Sequence, residues 1–109
     1  MTVPVVWYLL IAAVLFTIGT FGALTRRNGI AIFLSIELML NAVNLAIVAF
    51  ARTAYDSTGS ITSMLNGQIL VLFVLAVAAA EAAVGLALFV AVYRDKRTID
   101  LNRLNLMRW

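Results

Sequence analysis

Residues 69–93, with the sequence ILVLFVLAVAAAEAAVGLALFVAVY, decide the fold class of this chain. The segment carries a single charged residue, Glu81, which lies at its centre. About 20 consecutive apolar residues in helical conformation are enough to cross the hydrocarbon core of a bilayer, which is about 30 Å thick. A buried helix in a small soluble protein rarely needs so long an apolar run. The segment therefore predicts a transmembrane helix.

Two further apolar runs precede this segment. Residues 4–24 carry no charge, and residues 30–50 carry only Glu37. Three runs of this length predict an all-α membrane protein with three transmembrane helices. We expect a single membrane domain over residues 1–109, with spans at about 4–24, 30–50 and 64–93 and a basic tail at 94–109.

The composition excludes several functional classes. Of the 109 residues, 64% are hydrophobic and 12% are charged, and the mean hydropathy is +1.05. A soluble domain is about 25% charged, so lipid is the solvent that fits this chain. The net charge of +3 does not indicate nucleic-acid binding, because the basic residues lie at the ends of apolar runs and form no basic face. The chain has no cysteine and no histidine, which excludes an iron–sulfur cluster or a disulfide within it.

The distribution of basic residues predicts the orientation of the spans. Arg26 and Arg27 follow the first span, and five more Lys and Arg residues follow the third. With three spans these two segments lie on the same side, which the positive-inside rule makes cytoplasmic. Residues 51–60 are expected to form the polar connection on the other side, where the charges of Arg52 and Asp56 cancel. We therefore expect the N-terminus outside, in the periplasm, and the C-terminus in the cytoplasm.

Glu37 and Glu81 are the most informative residues, because both lie near the middle of apolar runs. A charged side chain at the bilayer centre costs roughly 2.5–3.5 kcal/mol on insertion scales. The three spans contain no Lys, Arg or His that could serve as a counter-charge. A carboxyl group in that environment favours its neutral form and can exchange a proton, as a proton relay requires. The alternative is that each glutamate only hydrogen-bonds a neighbouring helix, but two of them near the midplane favour the relay.

Two asparagines lie on the same helical face as Glu37. Asn41 and Asn44 follow it at intervals of four and seven residues. Amide groups in this position could hold ordered water, which is the natural bridge for proton transfer. Hydrogen bonds to a neighbouring helix would explain both asparagines equally well.

Small residues surround Glu81 in the third span. Residues 78–85 consist of alanine, valine and glycine apart from the glutamate, so other backbones can approach closely. Close packing on more than one side needs more than two companion helices, which predicts partner chains. Gly19 and Gly22 in the first span are interpreted in the same way.

Two long motifs resemble those of a known family. The first is Arg26-Arg27-Asn28 followed by SIELMLNAVNL at residues 35–45. The second is GQILVLF at residues 67–73, which continues into AAAEAAVGLAL at 78–88. Together they resemble the signature of subunit K of the NADH-quinone oxidoreductases, the respiratory complex I family. The resemblance covers residues 19–93, and the length, the three spans and the expected orientation match as well.

The resemblance implies a subunit in the membrane arm of a complex that oxidises NADH, reduces quinone and pumps protons across the bacterial plasma (inner) membrane. NADH, FMN, the iron–sulfur clusters and quinone would belong to partner subunits, and the isolated chain would catalyse nothing. Implied neighbours are a J-type subunit and antiporter-like subunits, whose buried lysines would supply the missing counter-charge. The residues that it implicates are the proton-relay pair Glu37 and Glu81, the supporting polar residues Ser35, Asn41 and Asn44, and the cytoplasmic coupling pair Arg26 and Arg27.

Other functions remain open from the sequence. The C-type small subunit of the multisubunit sodium/proton antiporters shares the three spans and a stretch like residues 42–45, but it generally lacks the two glutamates. A K-like subunit of a membrane-bound hydrogenase is a closer alternative. Small multidrug exporters also carry an intramembrane glutamate, but in the first of four spans. A purely structural membrane spacer is the remaining class, and it would not need either carboxyl group.

Overall fold

The structure, a computed structural model, describes residues 3–96, and this part of the chain forms three helices and no strand. They are α1 (Val5–Thr25), α2 (Gly29–Thr58) and α3 (Ile61–Lys96). Each helix is long and apolar enough to cross a membrane, which confirms the predicted all-α fold with three transmembrane helices. The basic tail predicted at 94–109 lies outside the described residues from residue 97 onward, and the orientation of the termini stays a prediction.

The end of α2 corrects the prediction that residues 51–60 connect two helices. Helical backbone continues through Arg52 and Asp56, which lie one turn apart with their charged groups 3.9 Å from each other. Alanines and this spacing of opposite charges favour helix over loop. Gly59 ends the helix in the left-handed conformation, with φ of 68°, and its N–H donates to the Tyr55 carbonyl at 2.7 Å. The connection is therefore only Gly59 and Ser60.

The reversal between α1 and α2 is equally short. Arg26 closes α1 by donating its N–H to the Gly22 carbonyl. Asn28 caps α2, because its side-chain Oδ1 accepts from the N–H groups of Ile30 at 2.9 Å and Ala31 at 3.2 Å. An asparagine cap satisfies donors that the first helical turn leaves free. Both arginines thus lie in a tight, capped turn at the end of two apolar helices.

Helix α2 lies between the other two helices. It packs against α1 on one side and against α3 on the other, and no packing of comparable extent joins α1 to α3 in the described residues. Ser35 contacts α1, whereas Phe33 contacts α3. Two helical residues two positions apart point about 200° away from each other, so the two neighbours lie on nearly opposite sides of α2. The three helices therefore form a row.

Two glycines of α1 allow a close contact with α2. A Cβ atom on Gly19 would lie 2.8 Å from the Ser35 carbonyl oxygen and 2.6 Å from Met39 Cγ, and one on Gly22 would meet the Ser35 side chain. Small residues allow this approach, which is the main source of attraction between helices in lipid. The interpretation of Gly19 and Gly22 as signs of partner chains was wrong, since α2 of the same chain occupies that face.

The interior of the row consists of small side chains. Within the described part of the chain the buried apolar residues are all alanines, namely Ala12, Ala42, Ala49, Ala51 and Ala78. One aromatic pair joins α2 to α3: the rings of Phe33 and Phe89 meet edge to face, 6.0 Å apart. Most larger apolar side chains are exposed on the outside of the row, where lipid or other membrane chains must cover them.

We expect Gly19→Val to destabilise the chain, because the new side chain would collide with α2. Overpacking of this kind costs about 1–3 kcal/mol. The free energy of unfolding of the purified chain in detergent micelles, followed by denaturant titration, measures it. Ala13→Val is the matched control, since Ala13 is exposed on the same helix, and its change should stay within about 0.5 kcal/mol. Equal losses in both variants would contradict the assigned contact.

Candidate functional site

The packing of α2 on α3 places Glu37 and Glu81 at the same depth. Ala51 contacts Gly67 directly, and the two helices run in opposite directions. Glu37 lies 14 residues before Ala51, and Glu81 lies 14 residues after Gly67. At 1.5 Å per residue both displacements are about 21 Å in the same direction along the row. The two glutamates are therefore level with each other on adjacent helices.

A second contact supports this register. A Cβ atom on Gly85 would lie 2.7 Å from Cε2 of Phe33. Phe33 and Gly85 are each four residues, about one helical turn, from Glu37 and Glu81 respectively, and both lie toward the same end of the row. Tight contacts thus fix the register on both sides of the glutamates.

The contact between α1 and α2 gives the depth of Glu37 and Glu81 in the apolar zone. Gly22 contacts Ser35 in the antiparallel pair α1–α2. Leu15, the midpoint of α1, lies seven residues before Gly22, and Ala42 lies seven residues after Ser35. Leu15 and Ala42 are therefore level with each other. Glu37 lies five residues from that level, or about 7.5 Å, toward the end where Arg26 and Arg27 lie. The carboxyl groups are inside the apolar zone but off-centre.

Glu37 lies on the side of α2 that faces α3. It follows Phe33 by one turn and precedes Asn44 and Ala51 by seven and 14 residues, a spacing that keeps a residue on one helical face. Glu37 is half-buried there. The single ion pair in the described part of the chain, Arg52–Asp56, involves neither glutamate.

Glu81 lies on the flank of α3 and is exposed within the single chain. With Ala80, Val84, Gly85 and Leu88 it lines a shallow depression of about 340 Å³. The predicted close packing around this glutamate is therefore present within the chain only on the side of Ala78 and Gly85, which face α2. A carboxyl group in the apolar zone needs a polar or charged neighbour, and the other described residues that line this depression are apolar.

Asn44 is a buried polar residue without a hydrogen-bond partner among the described residues. Its side chain is only 7% exposed, and neither the amide nitrogen nor the amide oxygen has a hydrogen-bond partner in the described structure. The threonines of α1 differ, since Thr17 and Thr20 donate to the carbonyls of Ala13 and Phe16 within their own helix. The Asn44 amide therefore has free donors and acceptors in an apolar interface, on the same face as Glu37.

The remaining predicted residues lie apart from this face. Ser35 faces α1, where it touches Gly22 and donates to the Ala31 carbonyl at 2.9 Å. Asn41 is exposed on the outside of α2. Arg26 and Arg27 are exposed in the turn between α1 and α2. The structure thus brings Glu37 and Asn44 to one helix face, places Glu81 level with Glu37, and does not bring Ser35 to them.

Comparison with known proteins assigns the chain to a family. The model of the family described as NADH-ubiquinone/plastoquinone oxidoreductase chain 4L matches residues 7–109. The chain belongs to this family. Subunit K of the NADH-quinone oxidoreductase of Salinibacter ruber is similar to it, with 53% identity over 94% of this chain and 93% of that protein. Subunit K 2 of Geotalea uraniireducens is 51% identical over 94% of each chain, and subunit K of Roseiflexus castenholzii is 50% identical over 97% and 98%.

Membership in the chain 4L family agrees with the helices. Three apolar spans and bacterial relatives of nearly the same length identify a multi-pass protein of the bacterial inner membrane. The resemblance inferred from residues 19–93 is confirmed, and the match extends beyond them in both directions.

Sequence reasoning missed the residues that set the register of this chain 4L protein. Ala51 and Gly67 lie outside the predicted site, and Phe33 has no polar atom to draw attention to it. A signal was present in the seven-residue spacing of positions 37, 44 and 51 on α2 and of 67, 74 and 81 on α3. This spacing is typical of helix faces that pack together. It identifies the faces but not which residue lies opposite which.

We expect Asn44→Leu to leave the chain at least as stable as the wild type. A buried amide without a partner costs about 1–3 kcal/mol, and leucine has a similar size without polar atoms. Denaturant titration of the purified chain in detergent micelles gives the free energy of unfolding. Asn41→Leu, at an exposed position one turn before, should change it by less than about 0.5 kcal/mol. A loss above about 1 kcal/mol in Asn44→Leu alone would show that the amide is hydrogen-bonded in the folded chain.

Proposed function

We propose that this chain is a membrane-arm subunit of a proton-pumping NADH-quinone oxidoreductase, in which Glu37 and Glu81 are consecutive steps of the proton path. The observation that carries the proposal is their equal depth on adjacent helices, inside the apolar zone and outside the only ion pair of the described chain. The names of the similar proteins, all subunit K of such oxidoreductases, support the assignment to that complex.

The chemistry of each step is a proton exchange on a carboxyl group. A glutamate carboxyl group can carry a proton on one of its Oε atoms and pass it to a neighbouring group. It releases that proton when a cation or water approaches and stabilises the carboxylate. Glu37 is half-buried against α3, whereas Glu81 is exposed on the flank of the row. The path therefore leads out of the chain through Glu81 toward a neighbouring subunit.

In the assembled complex, water held by Asn44 would extend this path within the chain. The Asn44 amide is buried in an apolar interface without a hydrogen-bond partner among the described residues, so an ordered water there would satisfy its donors and acceptors. Asn44 lies seven residues from Glu37 on the same face, about 10.5 Å along the helix. It lies on the side away from Arg26 and Arg27, so the water would connect Glu37 toward the opposite membrane surface. Asn41 would contact water or a partner, and Ser35 would act through the α1–α2 contact.

The redox chemistry belongs to other subunits in this proposal. The chain has neither cysteine nor histidine to bind an iron–sulfur cluster, so NADH, FMN, the clusters and quinone would be bound by partners. Antiporter-like and J-type subunits are the proposed neighbours, and a buried lysine next to the exposed flank of Glu81 would supply its counter-charge. Arg26 and Arg27 would lie on the cytoplasmic side, with the N-terminus in the periplasm.

A membrane-bound hydrogenase and a sodium/proton antiporter remain the competing assemblies. The relatives named above are subunits of quinone oxidoreductases, which favours that assembly over both. Purification of the tagged chain from its native membrane separates the three. Copurification with NADH-oxidising subunits supports the proposal, whereas copurification with a hydrogenase contradicts it.

We expect Glu37→Gln and Glu81→Gln each to reduce proton pumping and coupled NADH oxidation by at least about 10-fold, since a proton-transferring side chain typically contributes more than this. Glutamine keeps the size and polarity of glutamate but cannot release a proton. The measurement is quinone-dependent NADH oxidation and proton uptake by the intact complex in sealed vesicles.

The matched control for these variants is Asp95→Asn, which removes an exposed carboxyl group from the end of α3. It should pump at the wild-type rate. Full pumping in both glutamine variants, with normal assembly, would show that the chain is a structural spacer and not a relay.

We expect the double substitution of Arg26 and Arg27 by glutamine to lower quinone-coupled NADH oxidation several-fold, because it removes two positive charges from the side toward which the glutamates are displaced. Oxidation of NADH with a soluble artificial acceptor should not change, since it bypasses the membrane arm. Arg94→Gln, an exposed arginine at the same end of the row, is the control. Equal losses in the control would mean that general surface charge, and not this pair, is required.

A further inference from the structure

A groove lies at the end of the row opposite Arg26 and Arg27. It has a volume of about 220 Å³ and lies between the first turn of α1 and the last turns of α2. Its lining is apolar on one side and polar on the other; the residues are Val3, Pro4, Val5, Tyr8, Ala49, Arg52, Thr53 and Asp56. The groove is level with the start of α1, where the apolar zone ends, so it lies in the headgroup layer of the membrane.

Among the described residues, no hydrogen bond satisfies the charged side chains of the groove. The closest atoms of Arg52 and Asp56, Nε and Oδ2, are 3.9 Å apart, which is beyond the range of a hydrogen bond. Both side chains are accessible, with 45% and 61% of their surface exposed. The guanidinium group therefore keeps a planar set of donors, and the carboxylate keeps its acceptors, next to each other in one groove.

We propose that this groove binds the headgroup of a zwitterionic phospholipid with a primary ammonium group, phosphatidylethanolamine, from the leaflet opposite Arg26 and Arg27. Arg52 binds the phosphate through paired N–H donors. Asp56 accepts hydrogen bonds from the ammonium group. Val3, Pro4 and Val5 contact the glycerol and the first methylenes of the acyl chains.

Charge complementarity selects this headgroup over the other common ones. Phosphatidylethanolamine carries its phosphate and its ammonium group a short distance apart, as Arg52 and Asp56 carry the opposite charges. A headgroup with net negative charge, such as phosphatidylglycerol, would bring its phosphate next to the Asp56 carboxylate without offering a cation in return. Phosphatidylcholine has no N–H donor on its quaternary nitrogen and cannot hydrogen-bond the carboxylate.

The test uses the intact, detergent-solubilised complex after removal of most native lipid. The complex is incubated with mixed micelles of equal amounts of phosphatidylethanolamine, phosphatidylglycerol and phosphatidylcholine with the same acyl chains. Lipid that remains after repurification is counted by mass spectrometry. The variants are Arg52→Gln, Asp56→Asn and the charge-conserving Arg52→Lys, and the control is Asp95→Asn at the other end of the row.

We expect the wild type to retain one more phosphatidylethanolamine per complex than Arg52→Gln. Phosphatidylethanolamine should be preferred over phosphatidylglycerol on the order of five-fold at this site, as one exposed charge pair allows. Asp56→Asn should reverse that preference, because it leaves only the cation, and Arg52→Lys should retain the lipid less tightly than arginine. Asp95→Asn should match the wild type.

Three results would overturn the proposal. One is an unchanged lipid count in Arg52→Gln, which would also be the outcome if a neighbouring chain covers the groove. The second is a preference of the wild type for phosphatidylglycerol. The third is a loss of the same lipid in Asp95→Asn, which would show a general effect of surface charge.

Discussion

The contact between Ala51 and Gly67 fixes the register of α2 against α3. A second contact, between Phe33 and Gly85, lies further along the same two helix faces. A Cβ atom on Gly67 would meet the Cβ atom of Ala51, and one on Gly85 would meet the ring of Phe33. The hydrophobic effect does not hold helices together in lipid, so such close contacts decide which residues lie level with each other. A shift by one helical turn would separate Glu37 from Glu81 by about 5.4 Å in depth. The proposed proton path depends on this packing more than on any polar contact.

The described part of the chain supplies hydrogen-bond partners for only some of its own polar side chains. Threonine hydroxyls on α1 and Ser35 on α2 donate to carbonyls one turn earlier, so their presence in an apolar zone costs little. Glu81 and Asn44 make no such hydrogen bond in the described structure. Glu81 faces outward, and Asn44 lies in an apolar helix interface. Unsatisfied groups of this kind indicate where a neighbouring subunit or water completes the structure. They also fit a chain that works only within a larger complex.

The two ends of the row differ in their charge. One end carries Arg26 and Arg27 in a short capped turn, and the glutamates are displaced toward it. The other end carries the loosely paired Arg52 and Asp56 beside an open groove. The first arrangement suits coupling to a partner on the side of positive charge, and the second suits a neutral, dipolar ligand of the opposite leaflet. One small chain thus presents different chemistry to each surface of the membrane.

The sequence by itself determined the three helices, their apolar character and the two glutamates, because the hydrophobic period and the rarity of charge in a bilayer are local properties that a single segment reveals. It did not determine where α2 ends, because residues 51–58 are polar enough for a loop. Their helical conformation is stabilised by the Gly59 cap and by the ion pair of Arg52 and Asp56. Only the tertiary structure decided that Gly19 and Gly22 serve the α1–α2 contact, that Ser35 faces away from Glu37, and that the two carboxyl groups are level. Those facts depend on which residues meet across the helix interfaces, and the periodicity of one helix contains no information about its partner's register.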